Sequence, residues 1–86
     1  MIEYPMTNRD AMRSYMARVP AANVQFVDPA LQVFFDDQRA GLCDIKIKRL
    51  NLEQIMTANR EGQEVQHRVE VRYHDPEIEF ERRLSI

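Results

Sequence analysis

The sequence predicts an α+β fold, namely a small two-layer domain in which an antiparallel sheet of three or more strands carries two or three helices on one face. Residues 65–73 and 78–86 each alternate apolar and polar side chains on either side of Asp75-Pro76, which is the pattern of a β-hairpin with one dry face. Upstream, segments with helical spacing and helix caps flank one further alternating segment. Because an isolated hairpin is only marginally stable in water, it needs a third strand and a covering layer.

The predicted C-terminal hairpin turns at Asp75 and Pro76, because Asp suits the first position of a type I turn and Pro the second. The expected cross-strand pairs are Tyr73 with Ile78, Val71 with Phe80, Val69 with Arg82, His67 with Leu84 and Val65 with Ile86. These pairs share the face that should point inward. Arg82 is expected at its margin, with its stem packed and its guanidinium in water.

Residues 8–18 are predicted as the first helix, with Thr7 as N-cap and Pro20 as the stop. Its expected inward stripe, at spacing i, i+3, i+4 and i+7, consists of Met12, Tyr15, Met16 and Val19. A connector over 20–28 follows, with a short extended piece at Val24 to Val27.

Residues 29–40 are predicted as a second helix. Asp28 is its N-cap, Pro29 its first residue, and Gly41 lies just past its end. The letters L-Q-V-F-F are β-prone, so a strand pairing with residues 43–49 is the alternative.

Residues 51–61 are predicted as a third, short helix. Asn51 with Gln54 makes a capping signal, and Gly62 is a suitable terminator. The alternative is a strand that turns at N-R-E-G.

The segment 42–49 is predicted as a strand whose inward side chains are Cys43, Ile45 and Ile47.

Length and composition restrict the classes of protein. With 86 residues, one domain spanning 1–86 is expected. A net charge of −2 argues against a generic nucleic-acid binder. The single cysteine, Cys43, permits neither an internal disulfide nor a multi-cysteine zinc site, and it suits a reducing cytosol. The sequence carries no signal-peptide pattern and no stretch of about 20 apolar residues, so we expect a cytoplasmic chain that does not span a membrane.

Few residues are candidates for chemistry. Cys43 and His67 both fall on the predicted inner sheet face, where a Cys–His pair would make an activated thiolate. Buried structural roles are the more frequent fate of such residues. Turn chemistry already accounts for His74-Asp75. We therefore predict no enzyme, no catalytic or metal-binding residue and no cofactor.

The predicted outer sheet face carries the candidate partner-binding residues. These are Arg68, Arg72, Glu79, Glu81 and Arg83, and the same face holds Asp44, Lys46, Lys48 and Glu70. The mixture of signs disfavours a phosphate track. The first helix carries a second group of basic residues, Arg9, Arg13 and Arg18.

These features favour a small non-enzymatic protein-interaction module, a regulator or inhibitor that binds a larger protein or complex. Stand-alone acidic chains of this size are frequent among phage and mobile-element accessory proteins that act on host machinery. The terminal strand 78–86 at a sheet edge would offer strand addition or a homodimer. The alternative is a nucleic-acid-binding protein that uses the Arg patches of the first helix or the outer sheet face. We expect a protein partner and no membrane, and we disfavour nucleic acid.

Overall fold

The structure, a computed structural model, describes residues 1–17 and 23–86. Within them the chain forms a small α+β domain with a three-stranded antiparallel sheet of order β1-β3-β2 and four helices. The elements are β1 (Ile2–Met6), α1 (Asn8–Met16), α2 (Pro29–Arg39), β2 (Cys43–Lys48), α3 (Leu52–Glu61), β3 (His67–Tyr73) and α4 (Pro76–Ser85). The predicted class and sheet are confirmed, but the predicted number of helices is too low. None of the described helices combines the length and apolar character needed to cross a membrane.

Strand β3 lies at the centre of the sheet, and its alternate side chains form the middle of the core. Val69 and Val71 are fully buried, and Val71 lies opposite Ile2 on β1 and Ile45 on β2. The helices cover this face with buried side chains such as Phe34. The intervening residues of the strands are mostly exposed, so the sheet has one dry and one wet face.

The predicted hairpin of residues 65–73 and 78–86 is wrong. Pro76–Ser85 forms helix α4, so none of the five expected cross-strand pairs exists, and only His67–Tyr73 of the first arm is a strand. The neighbours of β3 are β1 and β2 instead. The expected edge strand over 78–86 is therefore also wrong, and the sheet edges are β1 and β2.

The physical reason is that Asp75-Pro76 begins a helix and not a turn. The Oδ1 atom of Asp75 accepts a hydrogen bond from the backbone N–H of Glu77 at 2.9 Å, which makes Asp75 the N-cap. Pro76 is the first helical residue, where its missing N–H costs nothing. Glutamates in the first turn and Arg82 and Arg83 in the last turn match the helix dipole.

The third strand of the sheet, β1, is not among the predicted elements. Its side chains Ile2, Tyr4 and Met6 alternate toward the core, which is a strand signal, but the run spans only five residues. Pro5 further weakens the signal because it has no N–H for a sheet ladder. The proline is tolerated because β1 lies at the edge of the sheet.

Helices α2 and α3 confirm two predictions for which a strand was the alternative. Asp28 caps α2 by accepting from the N–H of Ala30 at 2.9 Å, and Asn51 caps α3 by accepting from the N–H of Gln54 at 3.2 Å. Gly62 ends α3 with a φ of 73°, a left-handed conformation that favours glycine. The strand predicted over 42–49 is confirmed as β2, and its expected inward side chains face the core.

Helix α1 is confirmed, but its expected inward stripe is right only in part, because Met12 packs against the core and Met16 does not. The buried residues are Asn8, Asp10, Ala11 and Ser14, whereas the side chain of Met16 is 57% exposed. The polar residues are buried because each has a backbone partner. Arg18 and Val19, assigned to the end of this helix, lie outside the described residues.

The segment from Asn23 to Asp28 leads into α2 without forming a strand, so Val24 to Val27 belongs to no sheet. The carboxylate of Asp10 on α1 accepts hydrogen bonds from the N–H groups of Val27 at 2.7 Å and Asp28 at 3.1 Å. One buried side chain thus fixes the start of α2 against α1. The remainder of the predicted connector, 20–22, lies outside the described residues.

Candidate functional site

The five predicted partner-binding residues are divided between two elements, β3 and α4. Arg68 and Arg72 lie on the exposed face of β3, as expected, but Glu79, Glu81 and Arg83 lie on α4. The prediction that these three belong to the sheet is wrong because it depends on the hairpin register. Glu79 pairs with the N-terminal amino group at 2.7 Å, and Arg83 lies near the same carboxylate at 3.9 Å.

Several acidic side chains on the outer face of the sheet lie next to basic ones. Lys48 forms an ion pair with Glu70, which lowers the pKa of Glu70 and raises that of Lys48. Lys46 also lies opposite Glu70, and Arg72 lies opposite Asp44. Because Lys48 lies opposite Arg68 and Glu3 lies opposite Glu70, like and opposite charges are mixed on this face, which disfavours a phosphate track.

Cys43 and His67 lie at opposite ends of the sheet. Cys43 pairs with Tyr73, whereas His67 pairs with Met6, and the six residue steps along β3 correspond to about 20 Å. The Sγ atom of Cys43 lies 3.6 Å from the carbonyl oxygen of Phe34. Burial raises the pKa of this thiol to about 11, so it is protonated at neutral pH. The structure therefore does not bring the two residues of the thiolate hypothesis together.

His67 takes part in a buried clamp between α1 and β3. Its Nε2 atom lies 3.0 Å from Oδ1 of Asn8, which also accepts the N–H of Val65 at 3.1 Å. The amide nitrogen of Asn8 donates to the carbonyl of Gln63 at 2.6 Å. Because Oδ1 can only accept, Nε2 of His67 is assigned as the donor. Burial lowers the pKa of His67, and the Arg49 carbonyl and the Glu64 carboxylate act in the opposite direction without cancelling it.

The buried neutral His67 gives a testable pH dependence. Its pKa in the folded state lies below the value of about 6.5 for the unfolded chain. The unfolded chain therefore takes up the proton first as the pH falls, so stability conferred by the neutral ring above pH 6.5 is lost on acidification. We expect urea unfolding to show a free energy that falls from pH 7.5 to 5.5, and His67→Gln to flatten this slope. The exposed His74→Gln is the matched control, and an equal flattening there would contradict the assignment.

A third polar cluster joins α2, β3 and α4. The Oη atom of Tyr73 donates to Oδ2 of Asp37 at 2.5 Å, and Arg82 donates to both carboxylate oxygens, at 2.7 and 3.2 Å. Burial alone raises the pKa of Asp37, but the bonds from Arg82 and Tyr73 outweigh it and hold the pKa below its ordinary value. The sequence predicted that the guanidinium of Arg82 lies in water, but the structure shows it bound to the carboxylate of Asp37. Because the three groups satisfy one another, this cluster fastens the three elements together.

An open groove of about 440 Å³ lies between α1 and α3. We call it the methionine groove, and its lining residues are Arg9, Met12, Arg13, Met16 and Asn59. Four of them follow the spacing i, i+3, i+4 and i+7 along α1, which is one helix face. The amide nitrogen of Asn59 lies 2.8 Å from Sδ of Met12 and fixes one wall. Arginines and methionines therefore alternate along this face, where Arg9 and Met16 are exposed and Met12 and Arg13 are half-buried.

Helix α3 extends this apolar surface. Leu52 and Met56 are both exposed, and their spacing of i and i+4 with Asn59 at i+7 places them on the same stripe of α3. Sequence reasoning missed the groove because it assigned the apolar side chains of α1 to the core. The buried residues opposite the groove are Asp10, Ala11 and Ser14, and the sequence alone does not show that Asp10 and Ser14 have buried partners.

The buried polar clusters thus make their hydrogen bonds within the fold, whereas the groove between α1 and α3 is open to solvent. No protein-family model, curated protein or solved structure matches this chain.

Proposed function

We propose that this chain is a small non-enzymatic protein-interaction module, a regulator or inhibitor that binds a larger protein or complex through the methionine groove. The observation that carries the proposal is that Met12 and Met16 line an open groove on α1 beside Arg9 and Arg13, with the side chain of Met16 57% exposed. One form of this function is that of an accessory protein of a phage or mobile element that acts on host machinery.

Methionines suit a surface that has to accommodate another protein. Their unbranched side chains adapt to the shape of a ligand, and the polarisable sulfur makes favourable contacts with aromatic rings. Contiguous exposed apolar side chains on a small domain are typical of interaction sites, because they cost free energy when left in water. Met16 and Met56 are exposed here, and Met12 is half-buried beside them.

The positive charge at the groove favours a partner that carries carboxylates. Arg9 and Arg13 flank the methionines, and Arg13 lies 3.8 Å from Asp10, a distance at which the pair is weak. Guanidinium groups bind carboxylates in a bidentate manner. An amphipathic helix with apolar anchors beside Asp or Glu residues therefore fits both the floor and the rim of the groove.

The two sheet edges are less suitable for a partner. Pro5 interrupts the hydrogen-bonding edge of β1, and Lys46 and Lys48 place charges along β2. Both are devices by which proteins discourage strand addition. Helix packing in the groove is thus favoured over the strand addition expected from the sequence.

The nucleic-acid alternative has weaker support. On α1 the arginines are separated by methionines, which gain nothing from a phosphate backbone. On the sheet, Arg72 faces Asp44 and Lys48 pairs with Glu70. The charge arrangement on both patches therefore favours a protein partner.

The test is affinity purification of the tagged full chain from a lysate of its own host, with and without nuclease, followed by mass spectrometry. We expect a protein partner that survives nuclease and that Arg9→Glu/Arg13→Glu reduces by at least about tenfold, because like charges then oppose at the rim. Arg68→Glu/Arg72→Glu is the matched double reversal on the sheet and should retain the partner. Recovery of the same partner by the groove variant would overturn the proposal, and loss of all partners after nuclease would favour nucleic acid.

A further inference from the structure

We infer that a second copy of this chain occupies the methionine groove through the outer face of α4. This inference rests on the proposed function, because it assigns a second occupant to the same groove, which the larger partner would displace. The residues on α4 that carry it are Glu77, Phe80, Glu81 and Leu84, which we call the acidic stripe. Phe80 is 62% exposed and Leu84 is 72% exposed, the two highest values among the large apolar side chains of the described residues.

The orientation of α4 is fixed by its inner face, so the acidic stripe is held outward. Ile78 packs against the core, and Arg82, one turn later, binds Asp37. In a helix, residues two positions away from these point to the opposite side. Phe80 and Leu84 therefore face solvent because the Asp37–Arg82 pair determines which side of α4 meets the core.

The acidic stripe and the groove are complementary in both spacing and chemistry. The stripe reads Glu, Phe, Glu, Leu at i, i+3, i+4 and i+7, and the groove reads Arg, Met, Arg, Met at the same spacing on α1. Each surface thus alternates a charge with an apolar anchor along one helix face, and the charges have opposite sign. Packing the two helices places Phe80 and Leu84 against methionine sulfur and the glutamates against guanidinium groups.

The contact has to form between chains. Within one chain α1 packs against α3, whereas α4 packs against β3. Met16 and the two apolar residues of the stripe are all largely exposed, so neither surface covers the other in a single chain. Each copy therefore presents both a groove and a stripe, and association joins the groove of one copy to the stripe of the next.

A contact between two helix faces is small, so the association should depend on concentration and on salt. Interfaces below about 1,200 Å² of total buried area are characteristic of weak complexes. We expect the molar mass, measured by sedimentation equilibrium of the full chain at 50 mM salt, to rise across about 10 μM to 1 mM and to rise less at higher salt.

Two charge-reversal variants test the contact. Arg9→Glu/Arg13→Glu makes both surfaces acidic, and Glu77→Arg/Glu81→Arg makes both basic, so each variant alone should lose association by at least about tenfold. Mixed together, the acidic groove meets the basic stripe and the basic groove meets the acidic stripe, so the mixture should recover association. Arg68→Glu/Arg72→Glu is the matched control and should associate like the original chain.

Three results would overturn the inference: a constant single-chain mass up to the highest concentration, variants that associate like the original chain, or a mixture that does not recover. Circular dichroism checks that each variant is folded. If a charge variant does not fold, Phe80→Ser/Leu84→Ser removes only the exposed apolar half of the stripe, and unchanged association would then refute the contact. A groove variant that loses a host protein while the original chain stays monomeric would refute self-association and leave the proposed function standing.

Discussion

Val71→Asp is expected to leave the chain unfolded in native buffer, whereas Phe80→Asp is expected to leave it folded. Val71 is 0% exposed at the centre of β3, between Ile2 and Ile45. The substitution removes buried apolar area and places a carboxyl group where no polar partner lies, which together cost more than about 5 kcal/mol. Since small domains have a free energy of unfolding of about 5–15 kcal/mol, and an 86-residue chain is expected at the low end, this loss is sufficient.

Phe80 is the informative comparison because the hairpin prediction placed it directly opposite Val71. On α4 its side chain lies in solvent, so Phe80→Asp should change the free energy of unfolding by less than about 1 kcal/mol. Urea unfolding followed by circular dichroism, at low concentration so that association does not contribute, measures both variants. Equal loss of structure in the two would mean that Phe80 is buried and would contradict the helical C-terminus.

The dipeptide Asp-Pro shows why part of the fold could be predicted and part could not. At Asp28-Pro29 and at Asp75-Pro76 the same two residues begin a helix. The first was predicted as a helix because apolar residues with helical spacing follow it. After the second, the segment from Ile78 alternates apolar and polar residues, which favours a strand. The same letters satisfy the helical period as well, because Ile78 and Arg82 are one turn apart, so local pattern alone does not separate the two structures.

The groove could not be predicted because the rotation of α1 is determined by distant partners. Asp10 binds backbone groups of Val27 and Asp28, and Asn8 binds groups of Gln63 and Val65. These contacts join segments far apart in sequence, and they turn the polar side of α1 inward. An apolar stripe is usually a good indicator of the buried face, but here buried hydrogen bonds to the backbone rotate α1 so that Met12 is only half-buried and Met16 is exposed.

Arg82→Ala is expected to lower the free energy of unfolding by about 3 kcal/mol. The variant leaves the carboxylate of Asp37, which is 7% exposed, without the guanidinium that bonds both of its oxygens. Breaking a buried ion pair by removing one partner costs about 3–5 kcal/mol, and the partial exposure of Arg82 places the effect at the lower end. Arg83→Ala is the matched control, because Arg83 is 50% exposed and lies 3.9 Å from Glu79, so this ion pair should contribute less than about 1 kcal/mol.

The pH dependence of the Arg82→Ala effect shows whether the loss in the free energy of unfolding comes from the ion pair or from lost packing. In the original chain the pKa of Asp37 in the folded state lies below that of an unfolded Asp, about 3.9. The pair therefore contributes stability that is present above pH 3.9 and is lost as the pH falls through the folded value. Without Arg82, burial raises the pKa of Asp37, so we expect Arg82→Ala to differ from the original chain at pH 7 and to approach it at pH 3.

An apolar replacement of the whole cluster tests whether the unpaired carboxylate causes the loss. Because removing all members of a buried ionic group is often neutral, Asp37→Leu/Tyr73→Phe/Arg82→Met should recover most of the stability that Arg82→Ala loses. Such recovery would mean that the cluster fixes the position of α4 more than it adds stability, and hence that it determines which face of α4 meets solvent. A triple variant as unstable as Arg82→Ala would instead show that the fit of these particular side chains between α2, β3 and α4 determines the loss.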